Sequence, residues 1–111
     1  IKIRRHIIIY VYIINMNIVL KESSRKGKKF MVKVDNKTIH FGQEGASDYT
    51  KNKDDDRKDK YIVRHTKREN WNKSGIKSAG FWSRWILWNK KTLQASIKDT
   101  EKRFNITIKK E

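Results

Sequence analysis

"KFMVKVDNKTIHF", residues 29–41, decides the fold. Phe30, Val32 and Val34 alternate with Met31 and Lys33, and Ile39 and Phe41 alternate with Thr38 and His40. A period of two gives a strand one apolar and one polar face. Asp35 and Asn36, residue types that tolerate left-handed backbone angles, stand where the two runs meet. The stretch therefore predicts a β-hairpin, ended by Gly42 and Gly45. Upstream, "NIVLKE" at 17–22 is a further short strand, and "SSRKGKK" at 23–29 is an exposed basic loop.

Downstream of the hairpin the period changes. "SDYTKNKDDDRKDKYIVRHTKREN", residues 47–70, predicts a helix of about four turns, with Ser47 or Asp48 as its cap. Acids lie at its start and Arg64, Lys67 and Arg68 at its end, an order that complements the helix dipole. Its apolar stripe is thin, made of Tyr61, Ile62 and His65 with the stems of Arg57 and Lys58. A loop follows, carrying Trp71, and then "GFWSRWILWNK" at 80–90, with Ser78 placed to cap it. On a regular helix Phe81, Trp82, Trp85, Ile86 and Trp88 share an arc of about 160°, leaving Arg84 and Leu87 outside it. This predicts a tryptophan helix buried in the core, with Arg84 on the opposite face. A last helix is expected from Thr92, its buried edge marked by Leu93, Ile97 and Phe104.

The expected fold is α+β: a short antiparallel hairpin or three-stranded meander followed by about three packed helices. The chain of 111 residues suffices for one domain, placed at 16–111. Residues 1–15, "IKIRRHIIIYVYIIN", differ in composition from everything after Met16. Their apolar run, Ile7 to Ile14, is too short to cross a bilayer as a helix, which takes about 20 residues. No small-residue cleavage pattern follows it, so a secretion signal is disfavoured. A strand, or translated sequence upstream of a start at Met16, are the remaining readings, and the second is preferred.

Lys and Arg number 28 against 12 Asp and Glu, a formal charge of +16. A body so charged repels itself and implies a polyanionic partner, nucleic acid first, or an acidic protein surface. The candidate phosphate contacts are Arg25, Lys26, Lys28 and Lys29 in the basic loop, Arg64, Lys67 and Arg68 at the helix end, and Arg84. Trp71, in a loop between basic segments, is a candidate for base stacking, although a lid over the core is the stronger reading. No base specificity is expected.

An enzyme is not expected. Asp54, Asp55, Asp56 and Asp59 are the only concentration of carboxylates, and a metal-dependent nuclease centred on Asp54, Asp55 and Asp59 is a distant alternative. The run lacks the glycine of a calcium loop, and Arg57, Lys58 and Lys60 stand close enough to neutralise it. His6, His40 and His65 have no ligand-like spacing, and there is no cysteine. No phosphate loop, dinucleotide fingerprint or nucleophile elbow is present, so neither cofactor nor metal is expected.

The elements "TIHFGQEGASDYT", "DDDRKDKYIVRH", "NWNKSGIKSAGFWSRWILWNK" and "TLQASIKDTEKRFNI" occur in this order. Together they resemble a group of short, functionally uncharacterised proteins of nucleocytoplasmic large DNA viruses, algal viruses and giant viruses among them. The resemblance runs from about Lys28 to Ile106 and leaves residues 1–15 without a counterpart. One departure from its pattern is Lys60 before Tyr61 and Ile62, where the group has arginine. It implies a viral origin and no particular activity. The expected role is thus a basic accessory protein binding nucleic acid non-specifically, inside the host cell, in cytoplasm or viral factory, and in the virion too. A virion structural or packaging module that contacts acidic viral proteins is the alternative. No membrane contact is expected.

Overall fold

The computed structural model describes residues 16–111, so the readings of residues 1–15, His6 included, lie outside the described residues. A four-stranded sheet is built from β1 (Asn17–Glu22), β2 (Lys28–Val34), β3 (Lys37–Gln43) and β4 (Thr107–Lys110). Its spatial order is β3-β2-β1-β4, with β1, β2 and β3 antiparallel and β4 parallel to β1. The α+β class is as expected, and the predicted hairpin is present. Val34 pairs with Lys37 across the two-residue turn, where Asp35 takes a left-handed φ of 54°.

The alternation works as the sequence implies. Ile18, Leu20, Val32, Val34, Ile39, Phe41 and Ile108 are buried on one face, while Lys21, Lys33, Thr38 and Lys109 stand exposed on the other. The fourth strand is an addition to the expected architecture. Asn105, left-handed at φ 54°, stops the last helix, and Ile106 and Ile108 then turn inward beside β1.

The single helix expected over 47–70 is two helices, α1 (Tyr49–Asn52) and α2 (Asp55–His65). Lys53 lies between them with φ 52°, closing α1 by donating its amide to the Tyr49 carbonyl. The Asn52 side chain accepts from the Asp54 amide at 2.8 Å, and Asp54 in turn accepts from the amides of Asp56 and Arg57. Asn and Asp side chains compete with the backbone in this way, and here they win over helix continuity. Asp48, not Ser47, caps α1.

The tryptophan segment also departs from a regular helix. After α3 (Ala79–Trp82), capped by Ser78 as expected, the chain makes a π turn over Ser83–Leu87. The Trp88 amide donates to the Ser83 carbonyl at 3.1 Å, five residues back. A π turn holds more residues per turn than an α-helix, which rotates the following side chains out of the expected phase. Leu87, expected outside the core arc, is therefore buried, and Trp88, expected in the core, is only half-buried. Trp82 and Trp85 are buried as expected, and their indole N–H groups donate to the carbonyls of Ile76 and Trp71 at 2.7 and 2.9 Å. Gly42, at φ +77°, sits beneath this turn: a Cβ there would stand 2.8 Å from Leu87 Cδ1.

The last helix, α4 (Leu93–Phe104), has Thr92 as its cap, accepting from the Ala95 amide at 3.1 Å. Phe104 packs its ring on Phe81 and Trp85 at 4.9 and 5.5 Å between centroids. Buried apolar side chains of the sheet, the tryptophan segment and α4 thus form one cluster. Each large member contributes about 1.5–3 kcal/mol on transfer from water.

Candidate nucleic-acid interface

Arg57, Lys60 and Arg64 recur at helical spacing on α2 and are all exposed. With Tyr61 and Trp88 they line an open cavity of about 590 Å³. None of these five residues is acidic. The described residues give Arg57, Lys60 and Arg64 no carboxylate partner, although an acidic run stands one turn away. Unpaired cations at one end of a cavity favour an anion there.

The wall behind them is aromatic. Tyr61 and Trp88 are stacked with ring centroids 4.6 Å apart and planes 5° from parallel. Tyr61 also stacks with His65 at 4.4 Å and, more distantly, with Trp71 at 6.3 Å. Burial, with the charge of Glu69, pushes the Tyr61 hydroxyl up to about 12, so the ring is a neutral phenol at physiological pH.

Tyr61 and Trp88 are shared with a second cavity of about 400 Å³, which also reaches Lys28, Lys29 and His65. Lys28 and Lys29 in turn border a third, of about 460 Å³, around Arg25 and Lys26. Shared walls therefore join the basic loop to the basic face of α2 through the stacked rings. Carboxylates enter this track at Glu22, Glu44, Asp48 and Glu69. The loop is held by one of them, since Glu44 Oε2 accepts from the Gly27 amide at 3.1 Å.

The expected phosphate contacts fall into three groups. Arg25, Lys26, Lys28 and Arg64 are exposed and line the track. Lys67 and Arg68 are exposed on the turn after α2 and line none of these three cavities. Lys29 and Arg84 are engaged within the fold. The Lys29 side chain is 9% exposed and forms an ion pair with Asp48, whose side chain is 2% exposed. Asp48 also accepts from the amide and hydroxyl of Thr50, so Lys29 serves the fold.

Arg84 is half-buried instead of facing outward. Its guanidinium carbon lies 4.3 Å from the centre of the Trp85 ring and 5.5 Å from that of Trp71. Burial pushes its pKa down, and the nearby Arg103 charge adds to this. Arg84 stands near the start of the π turn, and its long side chain reaches over the aromatic rings to the Trp88 carbonyl. Trp71 is a half-buried lid on the core, with Arg84 against its ring and its own indole nitrogen buried without a hydrogen-bond partner among the described residues.

The acidic run has structural work. Asp54 caps α2, and Asp55 accepts from the Tyr49 hydroxyl at 2.5 Å. Lys58 leaves the run altogether and donates to the Asn89 carbonyl at 2.7 Å, over the Tyr49 ring. Among the described residues no group of three or more His, Asp or Glu is placed to hold a metal ion. His40 lies on the polar strand face, 2.7 Å from the Ser23 hydroxyl. No helix among the described residues is long and apolar enough to cross a membrane.

The sequence reading missed Arg57, Lys60 and Trp88 as parts of one site. The spacing of Arg57, Lys60 and Arg64 around Tyr61 was the signal that could have found the cations. Trp88 had none, because its exposure depends on the π turn.

Residues 18–65, from β1 to the end of α2, match a family of unknown function, DUF5754. The tryptophan segment and α4 lie beyond the matched stretch. No curated protein and no solved structure matches the chain.

Proposed function

We propose that this chain binds nucleic acid without base specificity, through phosphate contacts along the track from the basic loop to α2. The observation that carries the reading is the set of exposed cations, without a carboxylate partner among the described residues, at both ends of joined cavities: Arg25, Lys26 and Lys28 at one, Arg57, Lys60 and Arg64 at the other. The overall charge of +16 supports it, since long-range attraction speeds encounter with any polyanion. The role we assign is that of an accessory protein of a large DNA virus acting inside the host cell. What supports this finer part is the resemblance carried by "IHFG", "SDYT" and "SRWILWNK".

Equilibrium titration of the full chain with labelled DNA at about 50 and 200 mM salt tests the binding. Six phosphate contacts correspond to a log–log salt slope of about −5, and an affinity loss of roughly a thousandfold over that range. Absence of binding at the lower salt concentration contradicts the proposal. A preference for an acidic protein surface over DNA at equal salt would favour a packaging role.

A further inference from the structure

We infer that the cavity beside the Tyr61 and Trp88 rings takes an unpaired nucleotide, with its base against Trp88 and its phosphate on Arg57, Lys60 and Arg64. The chain then prefers single-stranded to duplex nucleic acid. This rests on the nucleic-acid reading above and adds to it the form of the strand.

Two features point here independently. The first is composition: the cavity's walls are two aromatic rings and three cations, the pairing that single-strand grooves use to follow a backbone while stacking successive bases. The second is rigidity. Trp88 is held from behind, since its ring is stacked on Tyr61 and its carbonyl accepts from Arg84 Nη1 at 2.7 Å. An aromatic fixed in this way loses little freedom when a base settles on it. The volume, about 590 Å³, lies within the roughly 300–1,000 Å³ of small-ligand sites, room enough for one nucleotide. In a duplex both faces of each base are covered by its neighbours, so only an unpaired base can use the ring.

The test compares, at one salt concentration, a single-stranded oligonucleotide, its duplex, and an abasic sugar-phosphate strand of the same length. The wild-type chain should bind the single strand roughly tenfold tighter than the other two, the effect of one stacked base. Trp88→Leu, folded by circular dichroism, should lose that preference while retaining affinity for the duplex, and Trp88→Phe should keep it. Equal affinity for the single strand and the abasic strand overturns the inference and leaves phosphate binding standing. Binding to none of the three overturns both. The abasic comparison needs no variant, so it decides the matter even if Trp88→Leu does not fold.

Discussion

Arg84 donates from Nη1 to the backbone carbonyl of Trp88 at 2.7 Å, so a half-buried cation pins the aromatic residue that closes the π turn. Its guanidinium also packs on the rings of Trp85 and Trp71. Arg84→Ala removes a charged hydrogen bond and these ring contacts, and should lower stability by about 2 kcal/mol. The urea midpoint checks this. A variant as stable as wild type with weakened DNA affinity would make Arg84 a phosphate ligand after all.

The Lys29–Asp48 ion pair joins β2 to the start of α1, with both side chains almost fully enclosed. Asp48→Ala strips the cap from α1 and leaves a buried ammonium unpaired, a loss of about 3–5 kcal/mol. Lys29→Met leaves Asp48 its bonds to Thr50 and should cost less. Denaturant unfolding of the two variants orders them. Lys29→Met should also leave the salt dependence of binding unchanged, since Lys29 is engaged with Asp48 and almost fully enclosed.

The Tyr49–Asp55 hydrogen bond ties α1 to α2 and has a pH signature at both ends of the scale. It pushes the Tyr49 phenol up to about 12 from 10.0, and holds the Asp55 carboxyl below 3.8 with help from Lys91 and Lys58. A raised folded-state pKa gives stability that is complete below pH 10 and is lost as pH rises towards 12. A lowered one gives stability that is present above pH 3.8 and is lost as pH falls below it. Tyr49→Phe should flatten both limbs of the stability profile, measured as unfolding midpoint against pH. An unchanged alkaline limb would contradict this assignment.

Trp82 and Trp88 differ in what they support. Trp82 is fully buried and bonded to Ile76, so Trp82→Ala should cost about 3–5 kcal/mol and unfold the chain near physiological temperature. Trp88→Leu, at a half-buried position, should cost about 1 kcal/mol. Thermal unfolding of both variants separates core from site.

Much of the fold could be read in the residues. The alternation of Phe30 to Val34 and of Ile39 and Phe41 predicted two strands and their buried face, and Ser78 and Thr92 cap the helices expected of them. Three features escaped. Strand β4 is four residues long, and its pairing with β1 joins distant parts of the chain, which no local pattern encodes. The break at Lys53 arises from side-chain bonds of Asn52 and Asp54 inside a run whose composition is that of a helix. The π turn shifts Leu87 and Trp88 out of the phase that a regular helix assigns them, and the long Arg84 side chain reaches back over the rings, so pattern alone placed the cation outside and the Trp88 ring inside. The candidate site depends on that shift, whereas the exposed cations of the basic loop and of α2 could be found from charge and spacing.

Phosphate binding along α2 is the central claim, and the salt slope of DNA binding tests it most directly. Replacing Arg57, Lys60 and Arg64 together by alanine changes exposed side chains only, and should leave the unfolding midpoint close to that of wild type. The log–log slope of affinity against salt should become shallower by about 3, one for each cation removed from the phosphate backbone. A triple variant that binds DNA with the wild-type slope would contradict the account.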